Sequence, residues 1–322
     1  MQLFDLHCDT LYECYETGAR LRENTLCIDK AKTDGYSMYT QVFALFCGTK
    51  STDSRRNSLM EVPPFRRLDA LLETARTEFA ANADWLTLCR DMDDWIWAET
   101  HGKCAAFLSI EGAELLATDA HIQRAYDAGV RMVSLSWNGY NQYACGALFG
   151  NDTGLSEKGK ALVRHFVEQG IIVDVSHLSE AGCWDVCLET EAPFAASHSN
   201  SRTCCDHLRN LTDLQFSEIV RRGGLVGINL YSRFLRDDNG QAELSDVLRH
   251  VEHFLSCGGA SCLAIGADLD GCDKLPKGID TVADMEKLGE YMLRHNYLQS
   301  TVDALFFGNA HTFFTRMLRI PA

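Results

Sequence analysis

Two short apolar runs, each ending in Ser-His, constrain this chain more than any other feature. Ile171-Ile-Val-Asp-Val-Ser-His177 is followed, one helix-length later, by Pro193-Phe-Ala-Ala-Ser-His198. Runs of β-branched and small apolar residues read as strands buried on both faces, the pattern of a parallel sheet covered by helices. In such sheets chemistry gathers at the carboxyl ends of the strands. Two histidines at successive strand ends therefore point into one mouth, and imidazole there suggests a metal. The plain alternative for either histidine alone is a ring hydrogen-bonded to backbone.

Other strands repeat the pattern. Leu3-Phe-Asp-Leu-His-Cys-Asp9 opens the chain and ends in His7 and Asp9, two residues apart and so on one face of a strand. Tyr36 to Cys47 reads as the second strand, and Cys104 to Glu111 as the third, closed by a carboxylate and a glycine. A glutamate ending an apolar strand is costly to bury without a partner, and a metal supplies one. Arg131 to Trp137, Leu225 to Tyr231 and Cys262 to Asp268 complete eight strands. Helical patterns separate most of them: Asp119 to Ala128, Ser156 to Gln169 with Gly170 as its stop, Glu180 to Glu189, Thr212 to Arg222 and Leu244 to Ser256. Glu61 to Met92 reads as one or two helices starting at Pro63-Pro64, with Trp85, Trp95 and Trp97 as helix packing, and Thr49 to Asn57 as a loop. Eight strands alternating with helices, and no linker in a chain with five prolines, predict a distorted α/β TIM-type (β/α)8 barrel over residues 1–322 as a single domain.

The composition narrows the partners. Net charge is -15 with no basic stripe, which argues against nucleic acid. No apolar run is long enough for a membrane span, and no export signal precedes the first strand, so a cytoplasmic protein is expected. Fourteen cysteines without a Cys-x-x-Cys pair argue for reduced thiols rather than a zinc ribbon. A homodimer is the base-rate expectation for assembly.

The strand ends carry His7, Asp9, Glu111, His177, His198 and Asp268. Imidazoles and carboxylates without a thiolate suit zinc or another first-row divalent ion. Five ligands exceed what one tetrahedral catalytic zinc needs while keeping a position open. Two ions bridged by Glu111 use the set better: His7 and Asp9 on one, His177 and His198 on the other. Such a pair can hold a hydroxide that attacks a carbonyl. Asp268 is then free to shuttle the proton to the leaving amine. Its alternative is a structural carboxylate capping the loop to Gly271.

These residues resemble the renal (membrane) dipeptidase family, peptidase family M19 of the amidohydrolase superfamily. The resemblance rests on Asp5-Leu-His-Cys-Asp9, Ser109-Ile-Glu-Gly112, Leu135-Ser-Trp-Asn138 with Asn141, Gly154-Leu-Ser-Glu-Lys-Gly159, Val173-Asp-Val-Ser-His177, Ala196-Ser-His-Ser199, Arg209-Asn-Leu-Thr-Asp213 and Gly266-Ala-Asp-Leu-Asp-Gly271, in that order. It implies two zinc ions with Glu111 shared between them, Asp268 as the acid/base, and Arg209 gripping the substrate's C-terminal carboxylate. A guanidinium fork suits that task; the alternative for Arg209 is a surface pair with Asp213. Trp137, Asn138 and Tyr231 fall on the substrate side. Trp137 departs from the animal renal enzymes, which carry histidine there; indole offers one N–H and no charge. The implied reaction is hydrolysis of a free dipeptide, C-terminal D-residues included. The alternatives are an amidohydrolase acting on N-acyl amino acids, cyclic amides or lactones, and a binding protein on a decayed barrel. His250 and His253 read as surface or packing residues.

Overall fold

A computed structural model describes residues 1–49, 58–238 and 240–318; most of the loop expected over Thr49 to Asn57 lies outside them. The strands are β1 (Gln2–Cys8), β2 (Met38–Phe46), β3 (Leu86–Leu88), β4 (Cys104–Glu111), β5 (Val130–Ser134), β6 (Ile172–Asp174), β7 (Ala195–Ala196), β8 (Leu225–Ile228) and β9 (Leu263–Ile265). All pair in parallel, and β2 pairs with both β1 and β4, which closes a ring of β1, β2, β4, β5, β6, β7, β8 and β9. This is the expected (β/α)8 barrel. The short β3 lies outside the ring, pairing only with the first residues of β4. It corrects the expectation of helix through Met92. The helix from Pro64 stops at Ala81, and the Leu86–Leu88 backbone joins the edge of β4 that β5 leaves free.

Every ring strand puts at least one side chain into the barrel interior: Phe4 and Leu6, Val42, Ala105 and Phe107, Met132, Ile172, Ala195, Leu225 and Ala264. Phe314, from the C-terminal helix Asn309–Met317, packs tilted and Trp95 edge-on against Phe4 and Phe107, capping the end opposite the chemistry. Of the three tryptophans expected to pack helices, Trp95 is buried, Trp85 donates its indole N–H to Asn82, and Trp97 stays exposed beside His101. The helices start where side chains satisfy free backbone N–H groups: Ser156, Ser179 and Thr212 each accept the N–H three residues on. Among the described residues no helix is long and apolar enough to cross a membrane, and all fourteen cysteines are free.

Two irregularities shape the mouth. β1 contains one extra residue between Asp5 and Cys8 relative to β2. Phe4 and Leu6 face the interior, and the bulge turns His7 inward as well. β6 and β7 are shorter than the apolar runs suggest. Beyond Asp174 and Ala196, side chains replace the ladder: the N–H groups of Ser176 and Ser197 donate to Asp174 Oδ1, and that of His198 to Ser176 Oγ. The backbone can then leave the sheet direction without stranding polar groups.

Close backbone contact holds the ring together beneath the site. A Cβ on Gly227 would lie 1.9 Å from the Ser197 carbonyl oxygen and 2.9 Å from Gly266 Cα. Neither can yield as a side chain would. Gly227→Ala is therefore expected to destabilise the protein by about 3 kcal/mol, read as a lowered denaturant midpoint. His250 is buried, accepts the Ser201 N–H at Nδ1 and donates from Nε2 to the Leu235 carbonyl. Burial lowers its pKa to about 4. Its neutral form thus stabilises the fold fully above the unfolded value near 6.5, and that contribution, on the order of 3 kcal/mol, drains away as pH falls toward 4. A His250→Phe variant should lose stability at pH 7 and show a flatter decline across that window in pH-dependent urea melts.

Candidate metal centre

His7 ends the bulged β1. Asp9 follows at the start of helix Thr10–Thr17, where its carboxylate makes no capping bond and turns to the mouth instead. Asp9 is off the strand, so strand alternation is not what aligns it with His7; the helix start does so, with Asp9 Oδ2 3.7 Å from His7 Nε2. Glu111 is the last residue of β4, and Gly112 follows at φ 99, where a Cβ would strike Cys47. His177 and Asp268 lie just beyond β6 and β9 with φ of 68 and 61, left-handed conformations that cost a non-glycine residue energy and collect at functional sites. His198 follows β7.

These six side chains meet. Glu111 Oε1 lies 2.7 Å from His177 Nε2 and 3.8 Å from His198 Nε2, while its Oε2 lies 3.5 Å from His7 Nε2. His7 Nε2 is also 3.9 Å from Asp268 Oδ1. The ligand atoms of His7, Glu111 and His198 fall within 4.8 Å of one another, as do those of His7, Asp9 and Asp268. A third such group, Asp213, His253 and Cys257, lies away from the mouth, with His253 already donating to Asp213 at 2.7 Å.

The electrostatics are those of a buried, carboxylate-rich pocket. Burial, with the Glu111 charge, pushes Asp9 up to about 8. Burial pushes Asp268 up to about 6 against the pull of His7. For Glu111, burial is outweighed by His7 and the His177 hydrogen bond, and its pKa falls below the carboxylate range. Burial opposes charge on His7 too, but Glu111 and Asp9 overcome it and hold the ring well above its usual value. Burial takes His177 down to about 4 and His198 well below 6.5, so both are neutral donors at pH 7. His7 Nε2, Asp9 Oδ1 and Glu111 Oε2 are buried without a hydrogen-bond partner among the described residues. Such atoms are expensive to strand, and three converging here fit a cation. Gly271 completes the cradle: a Cβ there would sit 2.2 Å from both Asp9 Oδ2 and Asp268 Oδ1.

The centre floors a cleft of 450 Å³ walled by Tyr12, Phe46, Trp137, Leu148, Tyr231 and Phe234. That is the size of a small-ligand site. A larger groove, 1130 Å³, runs along helix Pro64–Ala81 and includes none of the strand-end residues. Trp137 packs against Phe46 and His177, and Tyr231 against Phe234. Asn138 lines the cleft, and its Oδ1 lies 2.8 Å from His177 Nδ1, so it also holds a ring of the centre. Arg209 is buried, 3% exposed, which removes the alternative of a surface pair; Asp213 pairs with His253 instead. Its guanidinium lies 5.3 Å from the Phe234 ring and reaches the His198 carbonyl, while its Nε has no partner. Burial brings it down to about 10, which leaves it charged at neutral pH.

Residue reading missed Asn229. Its Nδ2 donates to Asp268 Oδ2 at 2.9 Å and fixes that carboxylate. Nothing local marks it, since Leu230 and Tyr231 continue the apolar run past it.

Comparison with known proteins agrees with this geometry. A family profile for membrane dipeptidase (peptidase family M19) matches residues 1–318. An uncharacterized protein from the pqqA 5′ region of Klebsiella pneumoniae is 32% identical over 240 residues, 71% of this chain and 88% of that one. An uncharacterized dipeptidase of Schizosaccharomyces pombe is 33% identical over 198 residues, 59% of this chain but 48% of its own length. The crystal structure of a metallopeptidase from Rhodobacter sphaeroides, liganded with a phosphinate mimic of the dipeptide L-Ala-D-Ala, superposes with a TM-score of 0.85 at 26% identity, covering 98% of this chain and 99% of that one. That of dipeptidase AC, a metallopeptidase of family M19, gives 0.87 at 25% identity and covers 99% of each. The chain belongs to the membrane dipeptidase family, peptidase family M19, a family of metal-dependent peptide-bond hydrolases.

Proposed function

We propose that this chain is a dinuclear zinc dipeptidase that cleaves free dipeptides, including those with a C-terminal D-residue, to amino acids. The carrying observation is the split of Glu111, whose Oε1 faces His177 and His198 and whose Oε2 faces His7. A carboxylate divided in this way suits a bridge between two ions. His7, Asp9 and Glu111 would hold one, and Glu111, His177 and His198 the other. Bound divalent ions would polarise the scissile carbonyl and bring the pKa of a water toward ~7.

The chain's own groups supply the rest. Asp268, oriented by Asn229 and open to the cleft, takes a proton from the attacking water and returns it to the departing amine. Arg209, buried and without a carboxylate partner among the described residues, offers its fork to the substrate's terminal carboxylate. Trp137 contributes an apolar wall and one N–H. A cleft of 450 Å³ favours two residues over longer peptides. The relative that binds a mimic of L-Ala-D-Ala supports acceptance of a D-residue.

The test is a panel of L-L and L-D dipeptides against N-acyl amino acids, cyclic amides and lactones. Dipeptides free at both ends are expected to give the highest kcat/KM; faster turnover of an N-acyl amino acid or lactone would overturn the assignment. Arg209→Met should lower kcat/KM for free dipeptides roughly 100-fold, the worth of a charge-assisted hydrogen bond of about 2–3 kcal/mol. The same variant should leave dipeptide amides nearly unaffected. An equal loss on both substrates would remove Arg209 from carboxylate recognition.

A further inference from the structure

Beneath the centre lies a buried polar chain that the mechanism above does not use. Asp174, at the end of β6, accepts four hydrogen bonds. Its Oδ1 takes the backbone N–H groups of Ser176 and Ser197, each at 2.9 Å. Its Oδ2 takes the hydroxyls of Ser134 and Ser197, each at 2.6 Å. Ser197 Oγ is in turn 2.8 Å from His198 Nδ1. Asp174, Ser197 and His198 are all 1% exposed or less, so no water competes for these groups.

Ser197 Oγ also lies 3.4 Å from Ser176 Oγ, but its 2.6 Å contact with Asp174 Oδ2 takes the proton, and the count along the chain then has one solution. A carboxylate only accepts, and a hydroxyl has one proton to give. Ser197 spends its proton on Asp174, so it can only accept from His198. His198 must then carry its proton on Nδ1, which leaves Nε2 as a bare lone pair. That lone pair faces Glu111 Oε1 at 3.8 Å and His177 Nε2 at 2.8 Å. His177 is held differently, by the neutral amide of Asn138.

We infer that Asp174 and Ser197 are positioning residues that lock His198 in the Nδ1–H tautomer and aim its Nε2 lone pair at the metal position. The relay makes His198 the ligand backed by a carboxylate, one hydroxyl removed. The mouth therefore keeps a fixed donor in the metal-free protein, ready before any ion arrives. This rests on His198 being a metal ligand, and its test separates the two ideas.

Asp174→Asn changes one atom. Its remaining oxygen must stay on the two backbone N–H groups, so the amide nitrogen replaces Oδ2 and donates to Ser197. The Ser197 proton then turns to His198 Nδ1, and the ring proton moves to Nε2, where it blocks the lone pair. Long-range ¹H–¹⁵N spectra of the metal-free protein should show His198 as Nδ1–H in the wild type and Nε2–H in Asp174→Asn. Competition with a zinc chelator should show one ion bound 10- to 100-fold more weakly, the usual effect of losing an outer partner of a ligating histidine. Ser197→Ala should weaken the same ion and decides the matter if Asp174→Asn does not fold. Ser134→Ala, which removes a bond to the same Oδ2 outside the relay, should leave ring and affinity unchanged. An unflipped His198 in Asp174→Asn, or unchanged zinc affinity in Asp174→Asn or Ser197→Ala, would overturn the relay. Wild-type protein that bound no zinc would instead reject the metal-centre reading, whatever the tautomer.

Discussion

Glu111 carries a charge at the end of an apolar strand, in a pocket almost closed to water, and the molecule is built around that expense. A buried carboxylate survives only where positive charge or donors surround it. Here the surround is five side chains from four other strand ends, and three of those ends bend their backbone to reach. β1 inserts a residue to turn His7, while His177 and Asp268 adopt left-handed backbone. Gly271 leaves out a side chain so that two carboxylates can approach it. These costs fall on residues around one point. The apolar interior between β1 and the C-terminal helix is regular and offsets them.

The same arrangement explains the distortion of the barrel at its mouth. Phe4, Phe107, Trp95 and Phe314 pack at the amino-terminal side, where ladder pairing continues. Toward the mouth, β6 and β7 give up ladder bonds for side-chain bonds to Asp174 and Ser176. Local side-chain acceptors are what permit the exchange. Stability and function thus occupy opposite ends of the same strands, as in other parallel barrels.

Much of this was legible in the residues. Apolar runs alternating with helices marked the eight ring strands, and the runs ending in His, Glu or Asp marked their shared rim, because that alternation leaves few other ways to bury such strands. What alignment of pattern could not show was geometry set by tertiary contact. The β1 bulge depends on register with β2, so a simple alternation argument paired His7 with Asp9 for the wrong reason. β3 is too short for its periodicity to stand out from the helices on either side. Asn229 and Asp174 act on other side chains, and nothing local distinguishes them from ordinary strand-end polar residues. Trp97, read as packing, sits on the helix face that meets solvent.

The central claim is that Glu111 divides its two oxygens between two cations. Anomalous diffraction from crystals equilibrated with excess zinc tests it directly. Two peaks are predicted, one between Glu111 and the His7–Asp9 side and one between Glu111 and the His177–His198 side. A single peak, or two that leave the Glu111 carboxylate uncoordinated, would contradict the account.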